Sequence, residues 1–419
     1  MATRRALLAA AAACQAAVSA AVCPGMPHGT PVENYAPVPA LPVYDAALSK
    51  LDLSAVMKDL ETLMTTSQDC WPADYGHYGP LFIRLAWHCS GSYRNTDGRG
   101  GCAGGRQRFE PERSWADNTN LDKARALLWP IKEKYGDGLS WGDLFTLAGT
   151  TAIHSMGGPA TEYCAGRLDS PDGTDSLDLG PSPQQEKVAP CETNGLCTKP
   201  LGSTTVGLIY LNPEGPVVKG ADGTYAPDPN PASSSLDIRD AFGRMGMNDT
   251  ETVALIGGGH AYGKTHGACP DGPGPSPLED PTNPWPGKCG TGRGKDAFTS
   301  GFEGPWTTNP IQWDNEFFKV LVSSTWEKHK GPGGHWQWRV QGAQGPLAGV
   351  MRLTSDVALL HDEKYAAISR EYAESPDTFD KAFDAAWFKL TTDGGMWSKE
   401  KKCVKIAPKG MRSDDRIIV

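Results

Sequence analysis

Apolar residues recur along most of this chain at three- and four-residue spacing, and period-two alternation is scarce. The windows 46–66, 80–94, 121–135, 140–156, 236–260, 313–328 and 378–390 each carry such a stripe. Each is expected to form a helix that buries one face. Residues 21–45 are rich in Pro and read as an extended leader. Residues 169–204 and 268–296 are rich in Pro, Gly and Asp, and read as loops long enough to carry function. No internal repeat is visible, so the chain is expected to be mainly α.

Chemistry enters with Arg84-Leu85-Ala86-Trp87-His88. On a helix, positions i, i+3 and i+4 share one face, so Arg84, Trp87 and His88 point the same way. Pro80 suits a first helical turn. A fixed cation beside a group that moves protons near neutral pH suits heterolysis of an O–O bond. In that step His88 transfers the proton and Arg84 stabilises the charge on the leaving oxygen. Read alone, the pattern is weak, and a core Trp with a satisfied interior His accounts for it better than chemistry does. A second element stands far off in sequence. Asp249 reads as the N-cap of a helix that ends in Gly257-Gly258-Gly259-His260. The glycines permit close approach to a flat partner. His260 is then placed as a possible axial ligand.

The 419 residues carry 40 basic and 49 acidic side chains, a formal charge of −9 and a pI near 5.5. This balance argues against nucleic acid and anionic membrane surfaces as partners. The 49 glycines and 34 prolines make about a fifth of the chain, below the range that signals disorder. Arg4-Arg5, the apolar run Ala6–Ala17 and Val18-Ser19-Ala20 together read as a signal peptide over residues 1–20. Secretion is the expected destination, with an organelle such as a plastid or mitochondrion as the alternative. Removal of Cys14 with that segment leaves ten of the 11 cysteines, an even set that suggests disulfides in an exported chain. Cys191/Cys197 and Cys269/Cys289 bracket loops and are the expected local pairs. No C-x-x-C occurs, which speaks against zinc.

Five segments in order, Pro80–His88, Asp97–Gly101, Leu127–Ile131, Leu139–Leu144 and Gly258–Gly267, resemble the class I haem peroxidases. The resemblance is closest to the N-terminal haem domain of catalase-peroxidases and covers roughly residues 45–395. It implies a two-lobed haem peroxidase fold, with one haem b per chain between a distal lobe (46–235) and a proximal lobe (236–395). A C-terminal tail, 396–419, would follow. It implies His260 as the iron ligand, Asp356 as the carboxylate behind it and Trp306 stacked nearby. It implies Asn118 as the residue orienting His88, and Asp117 as the acid lining an access channel. Lys264, Thr265, His266 and Ser300 match positions near the haem propionates. Trp87, Tyr210 and Met245 match three side chains that are covalently joined in catalase-peroxidases. Hydrogen peroxide and small aromatic electron donors are the implied substrates. Thr299 and Ala261 depart from the ascorbate and cation sites of related peroxidases. The second, haem-free domain and the mobile arginine after the haem domain have no counterpart within these residues. This predicts weaker catalase turnover than in the full-length family.

Overall fold

A computed structural model describes residues 37–68, 73–114, 118, 121–177, 213–265, 302–331, 334–406 and 417–418. The signal segment, the proposed loop cysteine pairs and Asp117, Tyr210, His266, Thr299 and Ser300 lie outside the described residues. The helices are α1 Leu41–Leu48, α2 Leu53–Met64, α3 Gly79–Ser90, α4 Leu121–Tyr135, α5 Trp141–Ser155, α6 Pro231–Arg244 and α7 Asp249–Gly259. They continue with α8 Glu316–Ser323, the single turn α9 Thr354–Val357, α10 Glu363–Glu374 and α11 Pro376–Thr392. The architecture is mainly α, as the periodicity predicts.

Several boundaries differ from the sequence reading, each for a local reason. The end of the expected leader is already helical, because Pro42 falls in the first turn of α1, where a missing N–H is harmless. The window 46–66 is broken before Leu53 by Asp52, whose carboxylate accepts the Ala55 N–H at 3.1 Å and starts α2. The window 236–260 is two helices. Gly246 adopts φ +83°, and Asn248 then caps α7 in a capping box with Glu251. Asn248, not Asp249, is therefore the N-cap. Asp249 instead binds Arg239 at 3.0 Å, and the same guanidinium reaches Asp362 at 2.8 Å. In the window 313–328 only Glu316–Ser323 is helical, and Trp326–Lys330 leaves as a strand paired with Trp336–Val340.

Most of the core is one apolar cluster built from α1 to α8, α10 and α11, and Phe302, Met351 and Leu353 form a small second one. Helix α5 lies at its centre, with every residue from Trp141 to Ser155 buried. Asp143 on α5 is a buried junction. It accepts from Tyr44 Oη at 3.1 Å, Gly166 N at 2.7 Å and Arg167 Nη1 at 2.8 Å. Helix α11 packs against α7 on one side and α3 on the other, so the two helices that carry His260 and His88 share a support. The segment read as a tail is not free: Trp397–Ile406 pairs antiparallel with Thr161–Arg167. Cys403 is bonded to Cys164 across that ladder, and Cys89 is bonded to Cys102. Lysines at four alternate or adjacent positions hide the strand pattern in the sequence.

Candidate active site

Helix α3 is buried along most of its length, but Leu81, Arg84 and Trp87 remain partly accessible. These positions are three apart and mark one partly accessible face. His88 lies one step round from Trp87 and is only 6% exposed. Its Nδ1 is 3.0 Å from Asn118 Oδ1. Asn118 Nδ2 donates to the Glu112 carbonyl at 2.7 Å, which fixes the amide so that Oδ1 is the acceptor. His88 Nδ1 must then carry the hydrogen, and Nε2 keeps its lone pair. Burial drives the imidazole well below its ordinary pKa, and the Arg84 charge adds to this. The bond to Asn118 opposes the shift without reversing it. His88 is thus a neutral base with a set tautomer, the form that a proton acceptor for peroxide requires. Trp87 stacks on Phe242 with ring centroids 5.4 Å apart, and buried Met245 ends the same helix three residues later.

Beyond its first turn, α7 and its C-cap are accessible at Ile256, Gly259 and His260, again at i, i+3 and i+4. The three glycines do different work from one another. A Cβ on Gly257 would stand 2.1 Å from Phe318, and one on Gly258 would stand 2.1 Å from Phe383, so both admit aromatic rings of the core. A Cβ on Gly259 would meet nothing within 4 Å, so only this glycine faces open space. The expected close approach to a flat partner therefore applies to Gly259 and not to the whole run.

His260 Nδ1 lies 2.7 Å from Asp356 Oδ1. Asp356 Oδ2 accepts the Trp306 indole N–H at 3.2 Å and the Leu353 N–H at 2.8 Å. The Trp306 ring stacks on His260 at 4.0 Å with a 13° interplanar angle. Burial alone would push the Asp356 carboxyl up. The neighbouring His260 ring, its hydrogen bond, Arg352 and the Leu353 N–H outweigh burial and hold the group below its usual range. A two-residue ladder explains how Trp306 reaches His260: Lys264 pairs with Pro305 and Thr265 with Gly304. Thr307 Oγ1 adds a bond to the Ala261 carbonyl at 3.2 Å. Arg352, fully buried, donates to the carbonyls of Trp306 and Phe317 at 2.5 and 2.8 Å. Burial lowers its pKa to about 10, and it remains a cation at neutral pH.

Ten of the residues singled out from sequence are thus placed: Arg84, Trp87, His88, Asn118 and Met245 on one side, and His260, Lys264, Thr265, Trp306 and Asp356 on the other. Lys264 has a partner the sequence did not suggest, since its buried ammonium pairs with the buried carboxylate of Glu303. Glu112, Arg352 and Glu303 were all missed, because nothing local distinguishes them from surface charges.

A family model described as peroxidase matches residues 56–375. The chain belongs to the peroxidase family. Its mainly α architecture is the haem peroxidase fold, whose cofactor is haem b. The chain is 48% identical over 365 residues to a catalase-peroxidase of Salinibacter ruber, covering 83% of this chain and 49% of the relative. Similar matches are a catalase-peroxidase of Natronomonas pharaonis, at 48% over 83% of this chain and 50% of the relative, and one of Escherichia coli, at 48% over 83% and 48%. The chain spans about half the length of the curated relatives it matches. The peroxidase site fits its cofactor on the chemistry of the donors. The carboxylate takes the Nδ1–H of His260, so Nε2 is the lone-pair nitrogen, and beside it Gly259 leaves open space.

Proposed function

We propose that the chain reduces hydrogen peroxide at a haem b held by His260, with one-electron oxidation of small aromatic donors. The observation that carries this reading is the contrast between the two histidines. His88 is neutral, buried and oriented by an amide, whereas His260 is backed by a carboxylate. When bound, haem would supply the redox-active iron that accepts the oxidising equivalents of peroxide. His88 Nε2 accepts the proton from the proximal peroxide oxygen and returns it to the leaving oxygen. Arg84 supplies positive charge as that oxygen departs. Asp356 keeps the hydrogen of His260 on Nδ1 and lends the imidazole anionic character.

Catalase turnover, in which a second peroxide is oxidised to oxygen, is the finer part of the proposal. Support comes from relatives named catalase-peroxidase and from Trp87, Tyr210 and Met245 standing in matching motifs. Thr299 stands where an arginine would pair with ascorbate, so aromatic donors at the haem edge are the proposed reductants. Export in an oxidised form is proposed on the apolar N-terminus and the two bonded cysteine pairs, Cys89–Cys102 and Cys164–Cys403. Asn248 of the sequon Asn248-Asp249-Thr250 is committed as a helix cap, which argues against its glycosylation.

The deciding experiment uses the purified, haem-loaded chain. A Soret band, donor oxidation and oxygen release on adding peroxide are expected together. Donor oxidation without oxygen release would leave a donor-only peroxidase. A Soret band with neither activity would leave a haem-binding protein.

A further inference from the structure

Residue 89 follows the proposed proton acceptor directly, and it is a cysteine bonded to Cys102, with Cα atoms 4.8 Å apart. Both partners are 1% exposed. The link therefore joins the last turn of α3 to the loop 99–105. A second strap runs beside it: Ser92 Oγ donates to the Cys89 carbonyl at 3.1 Å and accepts the Gly101 N–H at 3.0 Å. The loop backbone presses on the helix end so closely that a Cβ on Gly100, at φ +84°, would stand 1.9 Å from the Ser92 carbonyl oxygen.

From Cys102 the chain leads within four residues to Arg106, which is buried and anchored. Arg106 Nε donates to Ser176 Oγ at 2.9 Å and lies 3.5 Å from Glu112 Oε1. Ser176 Oγ donates to the same Glu112 oxygen at 2.6 Å. The Glu112 carbonyl accepts from Asn118 Nδ2, and Asn118 Oδ1 accepts from His88 Nδ1. The path closes on itself, from His88 through Cys89, Cys102, Arg106, Glu112 and Asn118 back to the His88 ring.

We infer that the Cys89–Cys102 bond is a positioning element for peroxide activation, holding the helix end and the loop in the register that lets Asn118 orient His88. This rests on the proposed role of His88 as proton acceptor. A cross-link that served stability alone would have no reason to act through Asn118. The path meets His88 twice, through the helix backbone at Cys89 and through Asn118 at the imidazole itself, so a positioning role is the part of the effect that disappears when Asn118 is removed.

The test is a double-mutant cycle on the haem-loaded full chain. Cys89→Ser/Cys102→Ser, Asn118→Ala and their combination are compared for the second-order rate of reaction with hydrogen peroxide. The rate at which an aromatic donor reduces the oxidised enzyme, and the affinity for cyanide, are measured in parallel. The cysteine pair variant should react with peroxide about tenfold more slowly, the effect of an ångström-scale misplacement of a reacting group. Its donor step should stay within about twofold, and cyanide binding should weaken with the peroxide rate. On the Asn118→Ala background the cysteine change should cost less than about twofold. Hydrogen exchange of residues 99–113 should rise in the cysteine variant without haem as well as with it. Cys164→Ser/Cys403→Ser, which removes the distant link, should leave the peroxide rate unchanged. If the serine pair fails to fold, Cys89→Ala/Cys102→Val fills the same apolar space and should give the same cycle. Full additivity of the two changes, or a lower melting temperature with an unchanged peroxide rate, would overturn the inference. A wild-type chain that does not react with peroxide would instead overturn the proposed function.

Discussion

Replacing Asp356 by Asn changes little in volume but breaks the arithmetic of a buried site. The carboxylate is fully buried and accepts three hydrogen bonds: one on Oδ1 from His260, and two on Oδ2 from Trp306 and Leu353. An amide keeps one acceptor and substitutes a donor for the other. With its oxygen toward His260, the NH2 group faces the Trp306 and Leu353 N–H groups, and two buried donors lose their acceptor. With its oxygen toward Trp306 and Leu353, only the His260 contact is lost, and the imidazole can restore it by moving its hydrogen from Nδ1 to Nε2. An unsatisfied buried donor costs about 1–3 kcal/mol, so orphaning two of them disfavours the first arrangement by roughly 2–6 kcal/mol.

The consequence falls on the iron ligand. A hydrogen on Nε2 removes the lone pair that would bind iron. Returning the hydrogen to Nδ1, against the amide NH2, leaves one buried donor unsatisfied and costs about 1–3 kcal/mol, or roughly 5- to 150-fold in haem affinity. Asp356→Asn should therefore fold, keep Trp306 close to His260, and bind haem roughly 5- to 150-fold more weakly than wild type. Titration of the apoprotein with haemin, followed at the Soret band, measures this directly. His260→Ala sets the limit of no stable ligation. An unchanged affinity and Soret band in Asp356→Asn would refute the tautomer argument.

Two substitutions at Asn118 should move the acid limb of the peroxide reaction in opposite directions. Asn118→Ala removes a bond that favours the charged imidazole, so the limb moves to lower pH while the plateau rate falls about tenfold or more. Asn118→Asp places a carboxylate against His88, stabilises the cation, and moves the limb to higher pH; stopped-flow rates against pH check both signs, and a common direction would contradict the assignment. Gly258→Ala should destabilise the apoprotein by about 1–3 kcal/mol through overpacking against Phe383, whereas Gly259→Ala should change stability by less than about 1 kcal/mol, as thermal melts can compare. Tyr210→Phe should remove most oxygen release and spare donor oxidation, and unchanged oxygen release would remove Tyr210 from the proposed catalase step.

What could be read without coordinates is what depends on short sequence distances. The shared face of Arg84, Trp87 and His88 follows from helical spacing, and the structure leaves Arg84 and Trp87 partly accessible with the buried His88 one step round from them. Helix α10 escaped because its buried positions, Tyr365, Ala366, Ser369, Tyr372 and Ala373, are small, polar or hydroxylated, so its stripe is weak by hydropathy. The strand Trp397–Ile406 escaped because lysines occupy it and its partner, Thr161–Arg167, lies more than two hundred residues away. Arg352 and Glu112 act through partners 46 and 64 residues distant, Trp306 and Ser176, and no periodicity carries that information. The glycine run shows a subtler gap. The sequence identifies three positions without side chains, but only packing tells which two admit Phe318 and Phe383 and which one faces open space.

The two histidines begin as the same side chain with the same ordinary pKa, and their second nitrogen decides what each can do. His88 meets an amide oxygen, which orients the ring without supplying charge, and burial beside Arg84 keeps it neutral. A carboxylate in that position would hold the proton and leave no base. His260 meets a carboxylate that is held ionised against burial by the imidazole itself and their hydrogen bond, with Arg352 and the Leu353 N–H adding to them. An amide there would let the hydrogen migrate to the nitrogen that must stay free. Neither partner can be exchanged for the other, although Asn and Asp are nearly equal in size. The requirement reaches one layer further out. Asn118 is useful only because the Glu112 carbonyl fixes its amide, and Asp356 only because three donors fix both its oxygens. The division of labour between a proton carrier and a metal ligand is therefore set by groups that touch neither peroxide nor iron.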